Sequence, residues 1–81
     1  MGTPEGWSEV DGSLRREFRF ENFADALAFV NRVGELAEAE NHHPDVELGW
    51  GRVVLRWRTH SEDAITNRDR ELAERSAALA G

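Results

Sequence analysis

The order in which hydrophobic periods follow one another predicts an α+β domain. The element order is β-β-α-β-β-α, with a four-stranded antiparallel sheet carrying its helices on one face. Three observations carry this. Apolar and polar residues alternate with period two over residues 13–20 and again over 52–59. Between them, over Phe23–Glu40, the period changes to threes and fours. Turn chemistry (Asp11-Gly12, Pro44, and Gly49 and Gly51 around Trp50) falls where the period changes or a strand must reverse.

The first strand is expected over residues 6–10, with Trp7 and Val10 as its apolar contributions. Asp11-Gly12 is a dipeptide typical of a tight hairpin with positive φ. In the second strand Leu14, Arg16, Phe18 and Phe20 share one face, and Arg16 is its single polar breach. Asn22 is an N-cap with Asp25 three positions on. The helix stripe is read as Phe23, Leu27, Val30, Val33, Gly34 and Ala37, widened by Phe29 and Leu36, and small residues along it allow close approach by a neighbour. Pro44 cannot continue a helix and holds His43 extended. A third strand follows through Val46, Leu48 and Trp50. In the fourth, Val53, Leu55, Trp57 and Thr59 face one way and Val54, Arg56, Arg58 and His60 the other. Residues 61–65 form a loop, Thr66-Asn67-Arg68-Asp69 a capping box, and a last helix runs through Leu72, Ala73, Ser76, Leu79 and Ala80.

Eighty-one residues make one domain, 1–81, near the size at which a single core supports a fold unaided. Such domains often gain stability by self-association, which is the expectation here. With no cysteine the chain has neither disulfides nor thiolate metal sites, a composition compatible with the cytoplasm. No apolar run reaches the ~18 residues of a membrane span, and Met1-Gly2-Thr3-Pro4 has none of the marks of a signal peptide. A net charge of −6, with all ten basic residues arginine and dispersed among acids, argues against direct nucleic-acid binding.

The chemistry-bearing residues gather at Asn41-His42-His43-Pro44, at a forced helix-to-strand transition. The third histidine, His60, closes the fourth strand. Three histidines are a possible zinc set, but adjacent histidines rarely share one ion and no His-x-x-x-His pair occurs, so no metal is expected. The alternatives are a solvated or packed histidine cluster and metal-free acid–base chemistry, to which imidazole is suited by its ordinary pKa of roughly 6.5.

Glu38-x-x-x-His42-His43-Pro44, five residues, Trp50, nine residues, His60, eight residues and Asp69 resembles the signature of the pterin-4a-carbinolamine dehydratases. Gly6-Trp7, Phe18, Phe20 and Thr59-His60 are similar to the family's flanking pieces, so the resemblance spans the chain from about Gly6 to Leu79. Family members commonly begin with a further helix, which the expected element order lacks. The resemblance implies a cofactor-free hydro-lyase that dehydrates 4a-hydroxy-tetrahydropterin to quinonoid dihydropterin, in tetrahydrobiopterin recycling. It also implies a homodimer or homotetramer. Some relatives act instead as dimerisation cofactors of homeodomain transcription factors or as assembly factors. A non-catalytic protein-binding module is therefore the alternative, one that has no need of three histidines at catalytic spacing.

By that carry-over His42 and His60 form the acid–base pair and His43 orients the pterin. Glu38 either orients His42, binds the pterin amide edge, or is an exposed helix-end acid. Trp50 either walls the pocket or packs in the core. Asp69 is read first as a helix-capping acid, with a supporting role behind the pocket. Asn41, Pro44, Arg58, Thr59 and Ser61 flank the histidines and are candidate substrate contacts. Asn41 stands at a position that can be aspartate in the family, and Arg58 replaces a small polar residue often found two positions before the third histidine. Trp7 and Trp57 are assigned to packing.

Overall fold

The structure, a computed structural model, describes residues 2–80, so the outermost residues of the expected domain, Met1 and Gly81, lie outside the description. Six elements follow in the expected order: β1 (Ser8–Val10), β2 (Ser13–Arg19), α1 (Phe23–Glu40), β3 (Asp45–Gly49), β4 (Arg52–Trp57) and α2 (Asn67–Ala78). One antiparallel sheet has the strand order β1-β2-β4-β3. α1 lies across β3 and β4, and α2 across β4 and β2, so both helices cover the same face.

The β1–β2 connection is the two-residue Asp11-Gly12 with φ of 51° and 80°, the doubly positive geometry whose twist matches a hairpin. Leu14 and Phe18 of β2 stand beside Trp57 and Val53 of β4 on the face that carries the core, with Leu55 between them. Arg16, on that same face, lays its guanidinium 4.8 Å from the Phe18 ring centroid. Trp7 precedes β1 and packs edge-on against Phe18 at 5.9 Å. β1 therefore begins after Trp7, later than expected.

α1 keeps its expected bounds, and the Asn22 side chain accepts from Asp25 N at 2.8 Å. Its buried stripe is Ala26, Phe29, Val33 and Ala37. Phe23 and Leu27, read as members of that stripe, are 44% and 39% exposed, and Gly34 is exposed too. The helix is thus rotated so that Phe29 meets Phe18 and Phe20, with centroids at 4.8 and 5.2 Å. Aromatic packing, the larger burial, decides the face.

The outer face of the sheet is built differently. Val54 is fully buried there, although it points away from both helices. Glu17 and Glu47 are its cross-strand neighbours, and Arg52 and Arg56 stand two residues to either side. Arg52 reaches Glu17 at 3.4 Å and Arg56 reaches Glu47 at 2.7 Å, so paired side chains roof the valine with their stems.

β2 and β3 each end one residue before their alternation does, and β4 and α2 end earlier still. β4 stops at Trp57; beyond it Thr59 pairs with Ala64 in an isolated bridge, which folds His60 into a turn rather than onto a strand. α2 stops at Ala78, leaving Leu79 and Ala80 as a closing turn packed on the core.

Candidate active site

The site is built at the corner where α1 becomes β3. Asn41 takes the left-handed conformation (φ 53°, ψ 42°), which asparagine tolerates better than most residues. His42 N then donates to Ala37 O at 3.1 Å, the six-to-one bond of a Schellman closure. Pro44 prevents any return to helix. The tight corner sends the adjacent histidines apart: the His42 side chain is 12% exposed and that of His43 54%.

His42 is held on two sides. Its ring stacks on the fully buried Trp57, at 5.9 Å between centroids and 6° between planes. Its Nε2 lies 2.6 Å from Asp69 Oδ1. Asp69 is wholly buried, and its other oxygen, Oδ2, accepts from Thr59 Oγ1 at 2.6 Å and from Thr66 N at 2.9 Å, with Thr66 Oγ1 at 3.4 Å. Burial raises the carboxyl's pKa, but hydrogen bonds from Thr59, His42 and the Thr66 backbone outweigh it and hold Asp69 below the ordinary carboxylate value. The same carboxylate therefore caps α2 and grips His42.

His43 Nε2 lies 2.5 Å from Glu38 Oε2 near the surface. Glu38 thus partners His43, whereas the four-residue spacing suggested His42. The physical reason is that the helix closes at Asn41 instead of continuing for another turn. His60 is exposed in the turn after Thr59.

All three histidines, with Asn41, Pro44, Thr59 and Ser61, line one open cleft of about 300 Å³. Asp45 lines it as well, though nothing in its spacing marked it. Two other expected site residues hold its histidines, Asp69 buried behind His42 and Glu38 at the surface beside His43. Arg58 and Trp50 are not brought to it. The Arg58 guanidinium pairs with Asp63 across the 60s turn. Trp50 occupies the β3–β4 turn, at the opposite end of the strands from His42, and is 73% exposed, neither pocket wall nor core. Trp57 and Thr66 are the contributors that pattern reading missed. Alternation makes Trp57 a core residue, which it is, and nothing local reports a histidine stacked on it. A larger groove of about 400 Å³ runs between α1 and α2, but it is floored by Leu36, Ala39 and Leu79 and contains no histidine.

With this geometry in view, comparison with known proteins is specific. The pattern of the family described as pterin 4 alpha carbinolamine dehydratase matches residues 1–79. A Rubrobacter xylanophilus protein with a provisional pterin-4-alpha-carbinolamine dehydratase name is 58% identical over 65 residues, covering 79% of this chain and 61% of that protein. A similarly named Chlorobium limicola protein is 53% identical over 66 residues, covering 82% of this chain and 58% of that one. The chain thus spans about three fifths of the length of these curated relatives. Among solved structures, a transcriptional coactivator/pterin dehydratase from Brucella melitensis superposes with a TM-score of 0.89 at 34% identity, covering 95% of this chain and 84% of that one. A pterin dehydratase-like protein identified as a RuBisCO assembly factor in the alpha-carboxysome gives 0.76 at 25% identity, covering 93% and 87%. Fold, histidine corner and family pattern agree: this chain belongs to the pterin-4a-carbinolamine dehydratase family.

Proposed function

We propose that this chain dehydrates a 4a-hydroxy-tetrahydropterin to the quinonoid dihydropterin, and that it serves tetrahydrobiopterin recycling. The observation that carries the reading is the convergence of three imidazoles on one cleft, one of them fixed by a buried carboxylate and an aromatic platform. A purely structural cluster has no use for that arrangement.

The reaction asks for little else. In the substrate, the lone pair on N5 expels the 4a-hydroxyl once that oxygen is protonated, and it departs as water. A base then takes a proton from the resulting cation, so the protons balance. One imidazolium donor and one neutral imidazole acceptor suffice, each contributing about 10²–10⁴-fold. His42 and His60 are the pair assigned here, and His43, braced by Glu38, orients the ring at the cleft mouth. The same reading includes self-association into a homodimer or homotetramer, supported by the apolar residues left exposed along α1 and β3.

Stopped-flow absorbance of chemically generated 4a-hydroxy-tetrahydropterin tests the proposal. The protein should accelerate its decay, and folded His42→Ala and His60→Ala variants should each lose about 10²–10⁴-fold. No acceleration over the spontaneous reaction would leave a protein-binding scaffold, and the next measurement would be a search for its partner.

A further inference from the structure

We infer that Asp69 is the positioning residue of the site: it selects the tautomer of His42, fixing the proton on Nε2 and leaving Nδ1 as the nitrogen that works in the cleft. This rests on the dehydratase reading only for its catalytic consequence; the tautomer itself does not depend on it.

The two oxygens of the buried Asp69 carboxylate have different partners. Oδ2 faces only donors: the Thr66 N–H at 2.9 Å and the Thr59 hydroxyl at 2.6 Å. The Thr66 hydroxyl lies 2.7 Å from the Thr59 hydroxyl, so it can donate there while Thr59 donates onward to Asp69. Oδ1 faces His42 Nε2 at 2.6 Å, and an ionised carboxylate can only accept. Nε2 must therefore carry a hydrogen whenever His42 is neutral. Stacking on Trp57 fixes the plane of the ring, and within that plane the charge-assisted bond fixes its sense, because a flip would keep the face contact but put Cε1 in place of Nε2 against Asp69. Among the described residues no group is bonded to His42 Nδ1, and the atom keeps some solvent exposure on a ring that lines the cleft, so Nδ1 is the nitrogen left for a ligand there.

The same geometry predicts what one isosteric change does. In Asp69→Asn the carboxamide has one acceptor and one donor end. The Thr66 N–H and Thr59 hydroxyl at the inner position require the acceptor there, so the amide oxygen takes the Oδ2 place. The NH₂ group then points at His42 Nε2, which must become an acceptor. The proton moves to Nδ1, into the cleft. A single substitution that keeps volume and capping reverses the tautomer.

The experiment is a long-range ¹H–¹⁵N correlation spectrum of the histidine rings in the full chain, at a pH where His42 is neutral, with kcat and KM measured in parallel. The wild type should show a protonated Nε2 and an unprotonated Nδ1, and Asp69→Asn the reverse. The variant's kcat should fall by about 10²–10⁴-fold with KM nearly unchanged. A wild-type His42 protonated on Nδ1 overturns the inference, and needs no folded variant to do so. A variant that raises KM at constant kcat overturns it too, because Asp69 would then bind substrate and not orient the ring. If the wild type shows the expected tautomer but no dehydratase activity, the positioning stands and the dehydratase reading fails.

Discussion

Asn41 stands where the chain requires a left-handed residue, and the placement of both adjacent histidines depends on it. A β-branched side chain in that conformation costs roughly 1–2 kcal/mol, whereas glycine adopts it freely. Asn41→Val should therefore lower the unfolding free energy from urea denaturation by that order, and Asn41→Gly should leave it unchanged or slightly raised. Equal losses in both would mean the side chain, not the backbone, holds the corner. Asp69 gives a prediction in pH. Its carboxyl is held below the unfolded value of about 3.9, so its contribution to stability is complete above that value and is lost as pH falls through the lower folded one. Asp69→Asn should lower stability at neutral pH and flatten the acid limb of the stability curve below about pH 4; a limb as steep as the wild type's would show that other carboxylates govern it. At this scale the sequence was informative but incomplete. The position of Asp69 three residues into a helix read as a cap, which it is. Its second oxygen is spent on His42, twenty-seven residues away, and no local pattern reports a contact of that separation.

The elements were legible wherever turn chemistry and period agreed. Asp11-Gly12 reads as a doubly positive hairpin because few other dipeptides accept both angles. α1 was bounded by its N-cap at one end and His42-His43-Pro44 at the other. The second hairpin was harder, since alternation through Val46, Leu48 and Trp50 continues into the turn itself. There Gly51 decides. It takes φ 65°, and a Cβ added to it would meet Phe20 O at 2.7 Å, so the chain reverses at Trp50-Gly51 and leaves the indole in solvent. Gly51→Ala should accordingly destabilise by about 1–2 kcal/mol or more through strain and that backbone clash. Gly12→Ala has a similar positive φ with nothing in the way of its Cβ, so thermal unfolding should show the smaller loss there. A reversed order would place the β3–β4 turn outside the cooperative core. The Phe23–Leu27 face was misread for a different reason: a helix with apolar residues on more than one side does not announce which side the sheet will take.

At the scale of the molecule, the antiparallel sheet with helices on one face followed from the periods alone, while the buried Val54 did not. A valine among alternating charges reads as exposed, and only the register that sets Glu17 and Glu47 on either side of it closes the roof. The apolar surface that stays open is more telling. In a chain of net charge −6, Phe23, Leu27, Val46 and Trp50, on α1 and on β3 or its turn, are 39–73% exposed, and Val10 on β1 is exposed as well. β3 is moreover an outer strand, with one edge free of pairing among the described residues. A small domain leaving this much apolar area beside an open edge gains by covering it with a second copy. Sedimentation velocity should therefore find a species heavier than the monomer at micromolar concentration. Val46→Lys with Trp50→Ser should shift it to the monomer without loss of secondary structure, since neither side chain belongs to the core. The histidine cleft is at the other end of β3 from Trp50, so a dissociated variant that keeps its activity would show that the site is complete within one chain. A wild-type protein that sediments as a monomer throughout would refute the self-association, and would leave the exposed indole to some other partner.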